Sequence, residues 1–388
     1  MAKKSLFLVL VRIARFCLMA VEWVLSVFFP KKRISAKYSP SYQQQEIWKA
    51  EYQIWETNRK EFLAKGLPRA CPACNATDFD FLWNSEDGYQ YVQCRSCDFV
   101  YVTLCFSYDL WREYFKRFEK DTDHINRLVI DSRFEKTYLN EDRARFSFYL
   151  KQLQRYKSSG TVLDIGCLTG SFLKFAQERG YIPYGIEYRE YAIEAARRRF
   201  GLEIKQGFFE ELAPSMIGET QRFDIITLWE TLEHMLYPDM VLKNAHQLLS
   251  SGGLLAITVP NYENLQVKIL RERCFHCLGG AGNAGHINMF TPTTLSDMLK
   301  RNNFDVLFME TEGSSSYFDV LAYLSGRFEL INSYSNTLMP PREKPSRHPY
   351  YLSPPLMNFA LALSPIWKLM ENALMKGAII LTVARRRG

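Results

Sequence analysis

Residues 161–170 read Thr161-Val-Leu-Asp-Ile-Gly-Cys-Leu-Thr-Gly170, an apolar strand that runs into a turn with glycines at 166 and 170. A helix over Ser171 to Arg179 follows, which gives the strand, turn and helix order that opens a Rossmann-type unit. Gly166 and Gly170 let the backbone turn sharply and approach a ligand. Asp164 at the strand end accepts a hydrogen bond from a ligand ammonium or hydroxyl. A second strand, Tyr184-Gly-Ile-Glu187, ends in a carboxylate 23 positions beyond Asp164, where an acid takes both hydroxyls of a ribose. A glycine turn alone is weak evidence, and its pairing with the strand-end acid is what points to a nucleotide-containing ligand.

Strand and helix keep alternating downstream. Arg197 to Phe200 closes a helix, Leu202-Glu-Ile-Lys205 is a strand, and Gly207-Phe-Phe-Glu210 follows it. Phe223 to Trp229 is a fourth strand opening into Glu230-Thr-Leu-Glu-His234, and a helix runs from Pro238 to Leu249. Ser251-Gly-Gly253 stops that helix before a fifth strand, Leu254 to Asn261. Phe304 to Glu310 reads as the sixth strand and 377–385 as the last. The prediction is an α/β fold over 159–388, a Rossmann-like, doubly wound, mostly parallel sheet with an insertion at about 313–375.

This stretch resembles the class I S-adenosylmethionine-dependent methyltransferases, especially small-molecule members such as the ubiquinone-biosynthesis O-methyltransferases. The likeness is carried, in order, by Leu-Asp-Ile-Gly-Cys at 163–167, by Glu187, and by Phe-Asp-Ile-Ile with Leu-Glu-His. It continues through Gly-Gly-Leu-Leu-Ala-Ile-Thr-Val-Pro-Asn and Gly285-His-Ile-Asn-Met-Phe-Thr-Pro292. The resemblance implies that Asp164, Gly166, Cys167 and Gly170 line the methionine part of the cofactor and that Glu187 holds its ribose. It places Phe208 and Phe209 beside the adenine, and Trp229 and Glu230 beside the sulfonium. Leu168 stands where relatives often carry a third glycine, which narrows the pocket. A nicotinamide enzyme would share the fold, but the glycine spacing is not G-x-G-x-x-G.

A hydroxyl acceptor needs a base that works near neutral pH, for which histidine suits. His234 follows the fourth strand and His286 follows the glycine-rich loop 279–285, so both belong at the carboxyl edge where open sheets bind ligands. Each is a candidate base, with Glu233 beside them; helix capping or loop orientation is the alternative role for His234. In the ubiquinone-type relatives a Glu-x-x-Glu-His cluster is associated with a divalent cation. Glu230, Glu233 and His234 reproduce its spacing, so the resemblance implies a Mg site, with plain electrostatics as the alternative.

Upstream, Cys71-Pro-Ala-Cys74 and Cys94-Arg-Ser-Cys97 are separated by nineteen residues, the pattern of a zinc ribbon in which each pair offers two thiolates from one tight turn. Short strands are expected at Phe79 to Trp83, Tyr89 to Val92 and Phe99 to Val102. Four cysteines leave no open coordination position, so the predicted zinc is structural; free thiols or disulfides are the alternatives. Cys274-Phe-His-Cys277 is a third such pair without a mate.

The ends of the 388-residue chain are basic, with Lys3 and Lys4, then Lys31, Lys32 and Arg33, and finally Arg385 to Arg387, within a net charge of only +7. Residues 5–29 are long enough to span a bilayer, but Arg12, Arg15 and Glu22 interrupt them, each costing roughly 2.5 to 3.5 kcal/mol at mid-bilayer. At 100° per residue Lys4, Ser5, Arg12, Arg15, Glu22 and Ser26 share one arc of about 100°, so the expectation for 1–34 is an amphipathic helix lying in the membrane interface. Packing on its own protein is the alternative. A helical linker (35–66), the ribbon (67–105) and a helical connector (106–158) complete the predicted order. Nine cysteines, with four spaced as ligands, favour a reducing compartment, hence a cytoplasmic protein peripheral to the inner membrane face.

Met339 to Pro355 is rich in Pro and basic residues, and Leu356 to Leu374 is apolar; set over the substrate edge they imply an apolar or lipid-linked acceptor, or else a dimer contact. Ribbon-plus-methyltransferase chains of this layout resemble bacterial enzymes that modify sugars of surface glycans or secondary metabolites, which implies a small-molecule, glycan or lipid-linked acceptor. The competing readings are a nucleic acid methyltransferase and a non-catalytic S-adenosylmethionine-binding protein. Against the former, there is no Asn-Pro-Pro-Tyr-like motif and no dense basic face.

Overall fold

The computed structural model describes residues 64–84, 89–105, 107–121, 127, 130, 131, 134, 136–219, 221–264, 267, 286–312, 369 and 373–388. The expected membrane helix, nearly all of the linker, the Cys274 and Cys277 pair and residues 313–368 of the insertion lie outside them. No helix among the described residues is long and apolar enough to cross a membrane.

The N-terminal part holds strands β1 (Leu67–Pro68), β2 (Phe79–Asn84), β3 (Gln90–Cys94), β4 (Val100–Val102) and β5 (Leu104–Cys105), then helices α1 (Tyr108–Asp121) and α2 (Lys136–Gln154). Next come β6 (Gly160–Ile165), α3 (Ser171–Gln177), β7 (Tyr181–Glu187), α4 (Glu190–Phe200), β8 (Ile204–Gln206), α5 (Phe209–Gly218) and β9 (Phe223–Trp229). A 3-10 turn at Leu232–His234 leads to α6 (Pro238–Leu248), β10 (Leu249–Pro260), β11 (Asn288–Met289), α7 (Pro292–Arg301), β12 (Phe304–Glu312) and β13 (Ile379–Arg386).

Seven strands form the main sheet in the order β12-β13-β10-β9-β6-β7-β8. All pairings from β8 through β10 are parallel, and β13 runs antiparallel to both of its neighbours. From β6 the chain winds to β7 and β8 on one side, then crosses back to β9 and β10 on the other, so the direction of winding switches between β6 and β9. Ligands of open α/β sheets bind outside the carboxyl ends of strands at such a switch. The α/β, Rossmann-like, mostly parallel sheet expected from the sequence is thus present.

Consecutive strand residues enter opposite layers, as a sheet covered on both faces demands. Val162, Ile225, Leu254 and Ala256 pack with residues of α2, α3 and α4, whereas Leu163, Ile226, Leu255 and Ile257 pack with α5, α6 and α7. The second layer also takes in Cys71, Val92, Cys94, Phe99 and Tyr101 of the N-terminal part, so the cysteine-bearing unit shares its core.

Two boundaries differ from the sequence reading. The strand ending at Glu187 begins at Tyr181, three residues early, and includes Pro183. That proline is tolerated because β8 first pairs at Gly185, which leaves no strand on its outer side among the described residues. Ser251-Gly-Gly253 does not end a helix but makes an irregularity within β10, between Leu249 and Leu254, with Gly252 at φ 68°. The helical connector expected over 106–158 contains two helices, α1 and α2.

Candidate active site

The turn after β6 is built for close approach. Gly166 has φ 75°, and a Cβ there would lie 2.9 Å from the Thr231 side chain; Gly170 has φ 72°, and a Cβ would lie 2.7 Å from Leu202. Leu168 adopts φ 48°, a left-handed backbone that costs a non-glycine residue roughly 1 kcal/mol. The Cys167 thiol is buried, and a Cβ on Gly185 would meet it at 2.8 Å. That side chain packs with the core, and burial pushes its pKa well up.

Glu187, 4% exposed, organises the turn. Leu168 N–H donates to its Oε2 at 2.9 Å, and the N–H groups of Tyr188 and Arg189 donate to its Oε1 at 2.9 and 3.0 Å. About four lone-pair directions exist on a carboxylate, so the charge is held in place with acceptor capacity left for a ligand hydroxyl. Beyond it, Tyr188 and Phe208 stack with ring centroids 5.0 Å apart and an interplanar angle of 11°, and Phe115 of α1 meets Tyr188 edge-on at 5.5 Å. The sequence reading singled out Phe208 and not Tyr188, the aromatic residue directly after the strand-end acid that stacks on it.

Asp164 is buried and accepts a 2.6 Å hydrogen bond from Thr227 on β9. Burial raises its carboxyl to about 8, against the pull of the Thr227 hydroxyl and with the Glu187 charge adding to the rise. Without a cation beside it the group is largely protonated at pH 7, so folding stability falls as pH rises from the ordinary carboxylate range through about 8. A cationic ligand favours the ionised form. Binding of a sulfonium compound should therefore release a proton below pH 8 and tighten as pH rises towards 8. Calorimetry in two buffers of different ionisation heat measures this release.

At the end of β9, Trp229 packs among Tyr149, Phe172 and Phe146, stacking on Tyr149 at 4.8 Å. The Tyr149 hydroxyl donates to Glu312 at 2.5 Å. Glu230 follows at φ 50°, a left-handed conformation for a non-glycine residue, and its N–H donates to Thr258. Backbone outliers of this kind cluster at functional sites. The Glu230 carboxylate turns to Arg145, 3.5 Å away.

The spacing argument grouped Glu230 with Glu233 and His234; the structure instead brings His286 to Glu233 and His234. One ligand atom from each of these three residues lies within 4.8 Å of the others. Glu233 Oε1 is 3.9 Å from His234 Nε2 and 3.8 Å from His286 Nε2, and the two imidazoles meet edge to face at 4.6 Å. Glu233 is 1% exposed, neither of its oxygens has a hydrogen-bond partner among the described residues, and burial, helped by Glu230, raises its pKa well above the carboxylate range. A buried acid so placed wants either a proton or a cation.

The four cysteines also converge. The Sγ atoms of Cys71, Cys74, Cys94 and Cys97 lie within 4.8 Å of one another, with Cys71 to Cys97 at 3.6 Å and Cys74 to Cys94 at 3.5 Å. A tetrahedral zinc with bonds of about 2.3 Å has sulfur edges of ~3.8 Å, so the cluster fits one. Both turns close alike: Asn75 N–H donates to Cys71 O, Asp98 N–H donates to Cys94 O, and Asn75 and Asp98 have φ 62° and 59°. Asn and Asp tolerate that conformation best after glycine, which explains their place one residue past each pair. A hydrogen bond to Cys97, together with burial, pushes the Cys71 thiol up.

Residues 134–307 match the profile of a family described as "Methyltransferase domain". The mitochondrial ubiquinone biosynthesis O-methyltransferase of Candida albicans is 36% identical over 109 residues, 27% of this chain and 33% of that protein. The ubiquinone biosynthesis O-methyltransferase of Pseudomonas paraeruginosa is 31% identical over 106 residues, 26% and 44% of the two chains. The chain thus spans between a third and less than half of the length of these relatives. Among solved structures, magnesium protoporphyrin IX methyltransferase from Synechocystis PCC 6803 with bound SAH aligns with 11% identity, 71% and 99% coverage and a TM-score of 0.41. A SAM-dependent methyltransferase from Archaeoglobus fulgidus aligns with 18% identity, 65% and 100% coverage and a TM-score of 0.39.

Proposed function

We propose, from a chain that carries a class I S-adenosylmethionine-dependent methyltransferase domain over residues 134–307, that the protein transfers a methyl group to a small-molecule, glycan or lipid-linked acceptor. The observation that carries this reading is Glu187 at the carboxyl end of β7, held by three N–H groups beside the glycine turn at the switch point of the sheet. S-adenosylmethionine supplies an electrophilic methyl group when bound. Glu187 would accept from the ribose hydroxyls, Asp164, Gly166 and Gly170 would border the methionine part, and Tyr188 with Phe208 would face the adenine.

His234 or His286 would take the proton from an acceptor hydroxyl as its oxygen forms the new bond to carbon. Glu233 would orient the two imidazoles, since it lies within 4 Å of both. A second reading is favoured by the same cluster. Two imidazoles and one buried carboxylate could hold a divalent cation, and that donor set suits a borderline metal such as zinc or iron better than Mg.

The four cysteines are proposed to hold structural zinc. Protein purified under reducing conditions should carry one zinc per chain at this site, and Cys94→Ser should lose it, as elemental analysis of both proteins would show. Metal-free wild-type protein would remove the proposal. Residues 1–34 are proposed as an interfacial anchor at the inner face of a membrane, on the polar arc described above.

Radiolabelled cofactor incubated with the protein and a lipid and glycan extract tests the activity. Label in an organic-soluble or saccharide fraction is expected, label in added nucleic acid would favour the competing reading, and cofactor binding without any label would make the protein non-catalytic.

A further inference from the structure

The cysteine-bearing unit does more than share a core with the sheet, because it extends its own small sheet with a strand that carries the edge of the histidine cluster. That four-stranded sheet runs β11-β4-β3-β2, and β11, with Asn288 opposite Tyr101 and Met289 opposite Val100, begins two residues after His286. Val102 N–H donates to Ile287 O at 3.0 Å, and the Tyr91 hydroxyl donates to the His286 carbonyl at 3.0 Å. The placement of His286 is therefore set by strands that precede it by nearly 200 residues of sequence.

Arg69, two residues before Cys71, joins the pieces. Its Nε donates to Val102 O at 2.8 Å, Nη1 to Leu236 O at 2.9 Å, and Nη2 to Ile287 O at 2.9 Å, with a longer 3.3 Å contact to Asn288 Oδ1. Leu236 lies two residues after His234, and Ile287 directly follows His286. One guanidinium thus spans β4 and both segments that bear the histidines. Its planar fork can reach three carbonyls at once, which a lysine ammonium on a flexible stem cannot reproduce. Asn288, 1% exposed, ties the same two segments from the other side, donating to Glu233 O at 3.3 Å and Met235 O at 2.7 Å.

We infer that Arg69 is a positioning residue of the candidate active site, and that the ribbon acts through it and Tyr91 to set the separation of His234 and His286. This rests on the reading of that histidine pair as the reaction cluster, but the placement itself is measurable whether or not methyl transfer is found.

The test compares wild-type protein with Arg69→Ala, Arg69→Lys and Tyr91→Phe, with Arg95→Ala as a control on an exposed ribbon ion pair to Asp80. Three properties are read: calorimetric affinity for S-adenosylhomocysteine, amide hydrogen exchange, and the rate of diethyl pyrocarbonate acylation at His234 and His286 by mass spectrometry. Arg69→Ala should speed exchange at 232–236 and 286–290 and change acylation of both histidines by about tenfold, the scale of losing charge-assisted hydrogen bonds, with product affinity kept. Free methylguanidinium should reverse these changes, Arg69→Lys should not restore the wild-type rates, and Tyr91→Phe should affect the 286–290 segment alone. Unchanged exchange and acylation in Arg69→Ala would overturn the inference. So would a loss spread evenly over the chain in both Arg69→Ala and Tyr91→Phe, or full recovery in Arg69→Lys.

Discussion

Alanine at His286 is expected to lower methyl transfer by about 100-fold or more while leaving affinity for S-adenosylhomocysteine within about twofold, and His234→Ala should behave alike. The split follows from place. Both imidazoles come from the segments that follow β9 and precede β11, whereas Glu187 ends β7 and takes its hydrogen bonds from Leu168, Tyr188 and Arg189. A group that acts only on the acceptor proton contributes to the transition state and not to cofactor binding. Single-turnover rates with the labelled acceptor fraction, beside calorimetry with the product, separate the two quantities. If neither alanine slows transfer, the base assignment fails. If both weaken product binding equally, the histidines belong to the cofactor pocket instead.

Glu187→Gln should weaken binding of both S-adenosylmethionine and its demethylated product by about 100-fold, or roughly 2.7 kcal/mol. The amide keeps the size of the side chain but loses its charge and one acceptor oxygen. It must then give up the Leu168 contact or the Tyr188 and Arg189 pair, so the glycine turn loosens as the ribose loses its partner. Glu187→Asp should fall between the two, because it keeps the charge but withdraws it from the turn. Equilibrium dialysis with labelled cofactor provides the check. An unchanged affinity in Glu187→Gln would place the ribose elsewhere.

The sheet was legible because its strands are buried on both faces and read as unbroken apolar runs, each ending in a polar or glycine residue at one edge. Asp164, Glu187 and the 166–170 turn could be placed from spacing alone, since the chemistry lies within one βαβ unit. What could not be read were contacts between distant segments. The resemblance grouped Glu230 with Glu233 and His234, but φ 50° at Glu230 turns its carboxylate to Arg145, and it is His286, expected at the same edge as a candidate base, that joins Glu233 and His234. Cys167 sat in the right motif, yet a side chain pointing from that turn meets Gly185 and enters the core.

The four cysteines were legible as a unit because each pair and its turn are local. Their link to the active site was hidden, because a two-residue strand such as β11 leaves no periodic signal and gains its place only by pairing with β4. Tyr149 and Arg145 went unread for a similar reason. On α2 they look like ordinary helix positions, and their role appears only once that helix packs against Trp229 and Glu230.

The most direct measurement is a calorimetric titration of the purified full chain with S-adenosylhomocysteine and, in parallel, with NAD. Saturable one-to-one binding of the former, and no heat from the latter, is the result predicted here. No binding of S-adenosylhomocysteine, or binding of NAD in its place, would contradict it.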